Sequence, residues 1–361
     1  AEGRNLKGAE KATFLTERYG VKMFDYMGDS RADLPVWQAA RRAITVGAGQ
    51  KLRQAAAGVN PQVSHIDPPT GRGAVILRAL RPHQWSKNLL LFLPMLAAHD
   101  FSGLVPVVLG FVAFCLTASA VYVINDLIDL PADRAHPRKS SRPFAAGDLT
   151  AATGAVLASA LFFLALIFGL LTGSTGFLGV LSLYLLATFL YSLWLKRKLI
   201  IDVVMLAGLY TVRVAAGTAA AGVALSPWMA GFSMFLFLGL AAVKRQAELT
   251  DQIKTGRAGS GRAYEIDDLP VLRGMAIASG HATVLVLALY ISSDAVQMLY
   301  PNSFLLWALC PLLFYWEMRM VIKTHRGAMT DDPIVFAATD RISLVVIAAC
   351  AMVVLSAALV P

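Results

Sequence analysis

Residues 125–143 read NDLIDLPADRAHPRKSSRP, directly after a run of apolar residues. Three aspartates, an asparagine and four cations crowd this stretch. Asp126, Asp129 and Asp133 are spaced three and then four apart, so on a helix they share one face. Carboxylates gathered this way repel one another unless a cation lies between them. Mg²⁺ suits the place, because it takes one or two carboxylates and completes its shell with substrate phosphate oxygens. Asn125 adjoins the acids, and Arg134, Arg138, Lys139 and Arg142 supply phosphate-pairing charge beside them. Pro131 interrupts the pattern, so Asp133 is expected beyond a kink. The plainer alternative is a solvated loop.

Three further clusters combine cations with polar or aromatic groups. YSLWLKRKLIIDVV (191–204) brings Tyr191, Lys196 and Asp202 around one turn. Arg213 follows eleven residues after Asp202, roughly 16 Å deeper along a helix. A charge at that depth must face a cavity or a partner, so Arg213 is either a functional group or half of an internal ion pair. AAVKRQAEL (241–249) holds Lys244, Arg245 and Glu248, and RPHQWSKN (81–88) holds Arg81, Trp85, Lys87 and Asn88. Each of these two is ordinary alone, since cations and tryptophan belong at membrane interfaces.

The elements that must position these groups are membrane helices. The chain is 57% hydrophobic and 15% charged, with a mean hydropathy of +0.61; a soluble domain has about a quarter of its residues charged. Nine apolar segments recur: 85–98, 103–124, 151–172, 175–194, 201–221, 228–243, 274–292, 303–322 and 342–360. Most approach the ~20 residues that a span needs. Connections 126–149, 195–200, 244–273 and 323–341 carry the Lys and Arg, and the alternate connections carry none. The positive-inside rule then sets the basic connections, all four clusters and the N-terminus in the cytoplasm, with the C-terminus opposite. The expectation is an all-α, polytopic membrane protein with nine helices around a cytoplasm-facing cavity. The +9 net charge is shared between residues 1–60 and the basic connections, and no nucleic-acid partner is expected. Cys115, Cys310 and Cys350 lie in apolar runs and read as unpaired thiols.

Residues 1–60 differ in character, and 61–74, rich in Pro and Gly, read as a linker. MFDYMGDSRADLPVWQAA (23–40) predicts a short strand, an acidic turn and a helix begun near Pro35. Asp29 and Asp33 occupy the turn, where a helix cap is the plain alternative.

From about residue 75 the chain resembles the UbiA-type prenyltransferase superfamily, on the motif NDLIDLPADR. The aromatic-acceptor members carry a second motif with two aspartates four residues apart. Here Asp202 matches the first, but Leu206 stands at the second. RPHQWSKN, NDLIDLPADRAHPRKSSRPFAAG, YSLWLKRKLIIDV, KRQAEL and RGAMTDDPIVFAATDR (326–341) are similar to the decaprenyl-phosphate phosphoribosyltransferase branch. That resemblance implies Mg²⁺-dependent transfer of phosphoribose from phosphoribosyl diphosphate (PRPP) to a polyprenyl phosphate, with release of diphosphate. It implies a multi-pass protein of the bacterial plasma membrane that contacts lipid and serves cell-envelope glycan synthesis, and it leaves room for an oligomer. Carried onto this chain, it makes Asp126, Asp129 and Asp133 the metal ligands. Asn125, Lys196 and Asp202 join the catalytic set. Lys87, Asn88, Asp133, Arg138, Arg142, Tyr191, Arg213, Lys244 and Arg245 bind substrate. Transfer of a polyprenyl group to an aromatic acceptor stays open, as does a lipid or metabolite transporter.

The first 60 residues resemble the C-terminal part of the haloacid-dehalogenase-like (HAD-like) phosphatases. Asp29 and Asp33 match that family's last acidic motif, and Lys7 its phosphate-stabilising lysine. The family's Asp-x-Asp nucleophile motif occurs nowhere in the sequence. The resemblance therefore implies an inactive partial α/β domain lacking its N-terminal half, which in complete form would dephosphorylate the lipid product.

Overall fold

The computed structural model describes residues 6–66, 71–135, 139–256, 262–329 and 332–359. The chain divides into two units, Ala1–Arg78 with Ala146–Leu149, and Ala79–Ala145 with Thr150–Pro361.

The first unit is a small α/β layer. Strands β1 (Asp25–Gly28), β2 (Arg42–Val46) and β3 (Val63–Ile66) form a parallel sheet in that order, with Tyr26 opposite Ala43 and Ile44 opposite Ser64. Parallel neighbours need crossovers, and α2 (Leu34–Ala39) and α3 (Gln50–Val59) supply them; α1 (Ala9–Tyr19) precedes the sheet and α4 (Arg72–Leu80) follows it. Trp37, Ala43 and Ala56 are fully buried and form the core with Tyr26, Leu52 and Val63 packed around them. The expected strand–turn–helix is present at 25–39. The linker is shorter than expected: Val63–Ile66 lies inside 61–74 and is a strand, because its backbone completes the β2 ladder.

In the second unit, eight helices among the described residues are long and apolar enough to cross a membrane. They are built on α6 (Leu104–Ile128), α8 (Ala151–Leu171), α9 (Thr175–Leu193), α10 (Ile201–Ala221), α11 (Pro227–Thr255), α12 (Leu269–Ile291), α14 (Leu309–His325) and α16 (Arg341–Leu359). Between them lie the short helices α5 (Leu93–Ala98), α7 (Leu130–Ala135), α13 (Asp294–Leu299) and α15 (Pro333–Thr339). Local chemistry sets the starts. Thr150 and Ser174 side chains accept from the backbone N–H three residues on, and Pro227 opens α11. α6 and α10 are the most enclosed. They meet at a core of Leu91, Phe114, Phe177, Tyr184 and Ala216, while Phe163, Leu183 and Met352 on outer helices stand exposed, as lipid-facing side chains do.

Two spans differ from the sequence reading. The segment expected over 228–243 belongs to a helix running to Thr255, so KRQAEL lies within α11 rather than after it. Arg245 and Glu248 continue the helix because they pair with each other and with Asp202 and Arg262. The first segment, expected over 85–98, is not a single α-helix: Pro82–Phe92 is a 3-10 helix that gives way to α5. Register explains this unusual length. Three 3-10 residues rise ~6 Å, as do four α-helical residues. Trp85 and Asn88 therefore meet Ser119 and Cys115 in step along α6: Trp85 Nε1 donates to Ser119 Oγ at 3.0 Å and Asn88 Nδ2 to Cys115 Sγ at 3.3 Å. On the other side the 3-10 backbone presses on α10 so closely that a Cβ at Gly217 would overlap the Leu91 carbonyl oxygen. Only glycine admits that approach.

Candidate active site

The acidic motif forms at the end of α6. The helix closes at Ile128, Asp129 caps it half-buried, and the chain restarts as α7 with Pro131 in its first turn. The kink expected at Pro131 is thus a helix boundary, yet the Asp133 N–H still donates to the Asp129 carbonyl at 2.8 Å. Asp126 is 3% exposed. Its Oδ1 accepts from Arg81 at 2.6 Å and from Arg142 at 3.0 Å, whereas Oδ2 is buried without a partner. Asp133, also buried, accepts from Arg142 at 2.6 Å, with Lys139 at 3.9 Å. Arg142 therefore stands between Asp126 and Asp133 where the sequence expected a cation shared by carboxylates. Among the described residues no three acidic, His or Cys side chains gather closely enough to hold a metal by themselves. The donor set still fits a cation that takes few protein ligands, because Asp126 Oδ2 is a buried oxygen awaiting a positive partner. Asn125 Nδ2 donates to Ser192 Oγ at 3.2 Å and ties α6 to α9.

Asp202 begins α10 and is wholly buried. Tyr264 donates to Oδ1 at 2.6 Å; Oδ2 accepts from Arg262 at 3.4 Å and forms a salt bridge with Arg245 Nε at 2.6 Å. Burial and this carboxylate push the Tyr264 phenol well up, so it remains a donor. Arg245, itself 1% exposed, also holds Glu248 at 2.5 Å, and Tyr191 accepts from Arg245 at 3.1 Å and Arg262 at 3.3 Å. Both Asp202 oxygens are thus engaged. The neighbouring residues 191 and 192 touch this cluster and α6 respectively, so the two acidic ends adjoin through α9.

A third group lies at the head of a cavity. Lys87 is buried and its ammonium is held by Asp332, which also caps α15. Burial pushes the Asp332 carboxyl up, but Lys87 and Lys244 outweigh it and hold it below the usual carboxylate range. Lys87 opens into a cavity of about 530 Å³ whose walls, among them Leu93, Phe237, Trp316 and Val346, are overwhelmingly apolar. Arg213 lies deeper in the bundle with neutral partners: Asn88 Oδ1 at 2.9 Å, the Leu209 carbonyl at 2.5 Å and the Tyr184 hydroxyl at 3.0 Å. Its guanidinium also stacks on Tyr184 and Tyr210. The internal ion pair considered for Arg213 is replaced by uncharged acceptors.

The structure therefore brings together Asp126, Asp133 and Arg142; Tyr191, Asp202 and Arg245; and Lys87 with Asn88 and Arg213. Lys196 stands half-buried in a 3-10 turn after α9, joined to none of these groups. Arg138 lies outside the described residues. Sequence reasoning missed Asp332, Arg262 and Tyr264 as site neighbours. Asp332 carries a signal, an aspartate directly before Pro333 at a helix start; the loop residues Arg262 and Tyr264 carry none.

In the first unit, Asp33 Oδ2 accepts from the Ser30 N–H at 3.2 Å and hydroxyl at 3.1 Å, and Oδ1 from Tyr26 at 3.2 Å. Asp33 thus closes its own turn as a capping box. Asp29 is exposed in that turn. Lys7 is exposed before α1, and the lysine beside Tyr26 is Lys11, 5.1 Å from the ring centre.

Comparison with known proteins matches residues 89–336 to the UbiA prenyltransferase family. An uncharacterized protein of Sinorhizobium fredii is 37% identical over 94% of this chain and 66% of its own length. The nodulation protein NoeC of Azorhizobium caulinodans is 35% identical over 74% of this chain and 88% of its own. The decaprenyl-phosphate phosphoribosyltransferase of Mycolicibacterium smegmatis is 36% identical over 52% of this chain and 61% of its own. The chain thus spans less than two thirds of the length of the first and third of these relatives. Among solved structures, a UbiA homolog from Archaeoglobus fulgidus, bound to GPP and Mg²⁺, superposes with a TM-score of 0.58 at 18% identity, over 78% of this chain and 99% of that one. That likeness bears on the fold alone.

Proposed function

The chain belongs to the UbiA prenyltransferase family, and we propose that it transfers 5-phosphoribose from PRPP to a polyprenyl phosphate, releasing diphosphate. The observation that carries this reading is the cavity with Lys87 in its wall: an apolar chain with one anionic end fits an apolar space lined by a single buried ammonium. The relatives named decaprenyl-phosphate phosphoribosyltransferase support the choice of donor and acceptor. Asp126 and Asp129 would hold Mg²⁺, which supplies charge stabilisation to the departing diphosphate. Arg81 and Arg142 stand against Asp126 and offer guanidinium donors to the same phosphates, with Asp133 keeping Arg142 in place. Lys87 and Lys244 would orient the lipid phosphate. That phosphate is ionised at neutral pH and needs no general base, so it attacks ribose C1 directly and inverts it. Asp202 fixes Arg245 and Tyr264 instead of touching substrate.

Prenyl transfer to an aromatic acceptor is the weaker reading, since position 206 offers no carboxylate and Leu206 packs on the apolar cluster around Val203 and Ala241. A one-sided arrangement of charge favours chemistry over transport. In this reading Pro82–Ala98 is a ninth crossing: 11 residues of 3-10 helix and 6 of α-helix rise about 31 Å, the thickness of the hydrocarbon core. With nine crossings and the basic connections inside, this reading has the N-terminus and site in the cytoplasm of a bacterial plasma membrane and the C-terminus outside. In a longer protein with a complete phosphatase-like domain, the first unit would take part in removing the 5-phosphate; no phosphate release from the lipid product by such a protein would end that part of the reading.

The test is a transfer assay on purified protein with Mg²⁺, ribose-labelled PRPP and polyprenyl phosphate. Label entering the organic phase with equimolar diphosphate, both lost on chelation, is expected. Prenylation of an aromatic acid from polyprenyl diphosphate, with no ribose transfer, would replace this reading by the weaker one.

A further inference from the structure

The charges at the head of the apolar cavity do not all favour an anion. Lys87 is an ammonium, but Asp332 lies against it and stands among the electrostatic neighbours of Lys244. Its two oxygens divide their work: Oδ1 accepts from the backbone of Ile334 at 3.0 Å and Val335 at 3.4 Å, and Oδ2 faces the Lys87 ammonium. Ile334 and Ala337, on the helix that Asp332 caps, form part of the cavity wall. The next charges out from Lys244, Arg245 and Glu248, are already paired with each other. Among the residues that line the cavity, Lys87 alone is charged, and the carboxylate of Asp332 is paired with it.

A lipid monophosphate and a lipid diphosphate carry the same tail, so apolar walls cannot distinguish them. Only the head can. A fixed carboxylate in a poorly hydrated site repels a nearby anion in proportion to that anion's charge, and a diphosphate carries about one negative charge more than a monophosphate. An anion arriving at Lys87 must either displace Asp332 or lie beside it.

We propose that Asp332 is a specificity residue, which admits lipid monophosphates to the cavity and disfavours lipid diphosphates through its charge. This rests on the lipid-phosphate reading of the cavity given above. Discrimination by an added repulsive group is a general device where attractive contacts are shared by both ligands. The charge of Arg213 is common to any Asp332 variant and drops out of the comparison.

The experiment compares the full chain with Asp332→Asn. Asparagine caps a helix as well as aspartate does and matches its size, so α15 is retained while the charge is removed. Displacement of a fluorescent lipid monophosphate is measured with polyprenyl phosphate and polyprenyl diphosphate of one chain length. The wild type is expected to prefer the monophosphate, and Asp332→Asn to shift the ratio toward the diphosphate by about tenfold. An unchanged ratio, or an equal gain for both lipids, in a variant that melts like the wild type would overturn the proposal alone. Should Asp332→Asn fold poorly, Asp332→Ser, which also caps, is read by the same ratio. Failure of both lipids to displace the probe from the wild type would overturn the cavity reading and the proposal together.

Discussion

Asp126 and Asp202 occupy similar places, each at the end of a long apolar helix, and they are 3% and 0% exposed. Their surroundings differ in one respect. Both oxygens of Asp202 are taken, by Tyr264, Arg262 and Arg245, whereas Oδ2 of Asp126 has no partner although it is buried. A buried carboxylate with every lone pair engaged holds its neighbours in place. A buried carboxylate with an orphan oxygen is costly unless something not in the protein completes it. In the function proposed above, the second arrangement is a ligand seat and the first a clasp; sequence reasoning assigned both residues to catalysis.

Substitutions can break that distinction. The largest effect is expected from Asp126→Asn. Transfer should fall at least about a hundredfold, the worth of charge stabilisation at a metal-phosphate seat. Arg142 keeps Asp133 and Arg81 is partly exposed, so the melting temperature should barely move. Asp202→Asn should act the other way: loss of a buried partner to Arg245 costs about 3–5 kcal/mol of stability, while turnover per folded molecule changes little. Differential scanning of both variants beside the transfer assay separates the two cases. Gly217→Ala should come next, at about 1–3 kcal/mol, because its methyl group would strike the Leu91 carbonyl. The displaced 3-10 segment carries Lys87, so KM for the lipid acceptor should rise severalfold with kcat less affected. Asp33→Ala should have the smallest effect. It removes a satisfied cap worth ~1 kcal/mol in the first unit and should leave transfer by the second unit unchanged.

Apolar run length made most of the membrane helices legible, since burial in lipid leaves few other options for such segments. It failed where other forces set the boundary. α11 runs on through Lys244, Arg245 and Glu248 because Asp202, brought by another helix, neutralises the arginine. The 3-10 helix at Pro82–Phe92 follows from its step against α6 and from the missing Cβ of Gly217, both properties of packing that a local sequence does not express. Strand β3 was hidden among the Pro and Gly of 61–74, for its reason is the ladder with β2. In the site, residue type and spacing located the acids but not their states. Three aspartates on one helical face suggested a shared metal, and spacing did not foretell that Arg142 stands between two of them. Asp332 and Arg262 reach the site from connections more than fifty residues from their partners, Lys87 and Asp202, so no spacing rule could have joined them.

The most direct measurement is calorimetric titration of inorganic diphosphate into the purified full chain, with and without Mg²⁺, for the wild type and Asp126→Asn. The orphan oxygen of Asp126 predicts binding by the wild type that requires Mg²⁺ and is lost in the variant. Mg²⁺-dependent binding of equal strength in Asp126→Asn would contradict the assignment of the seat to Asp126.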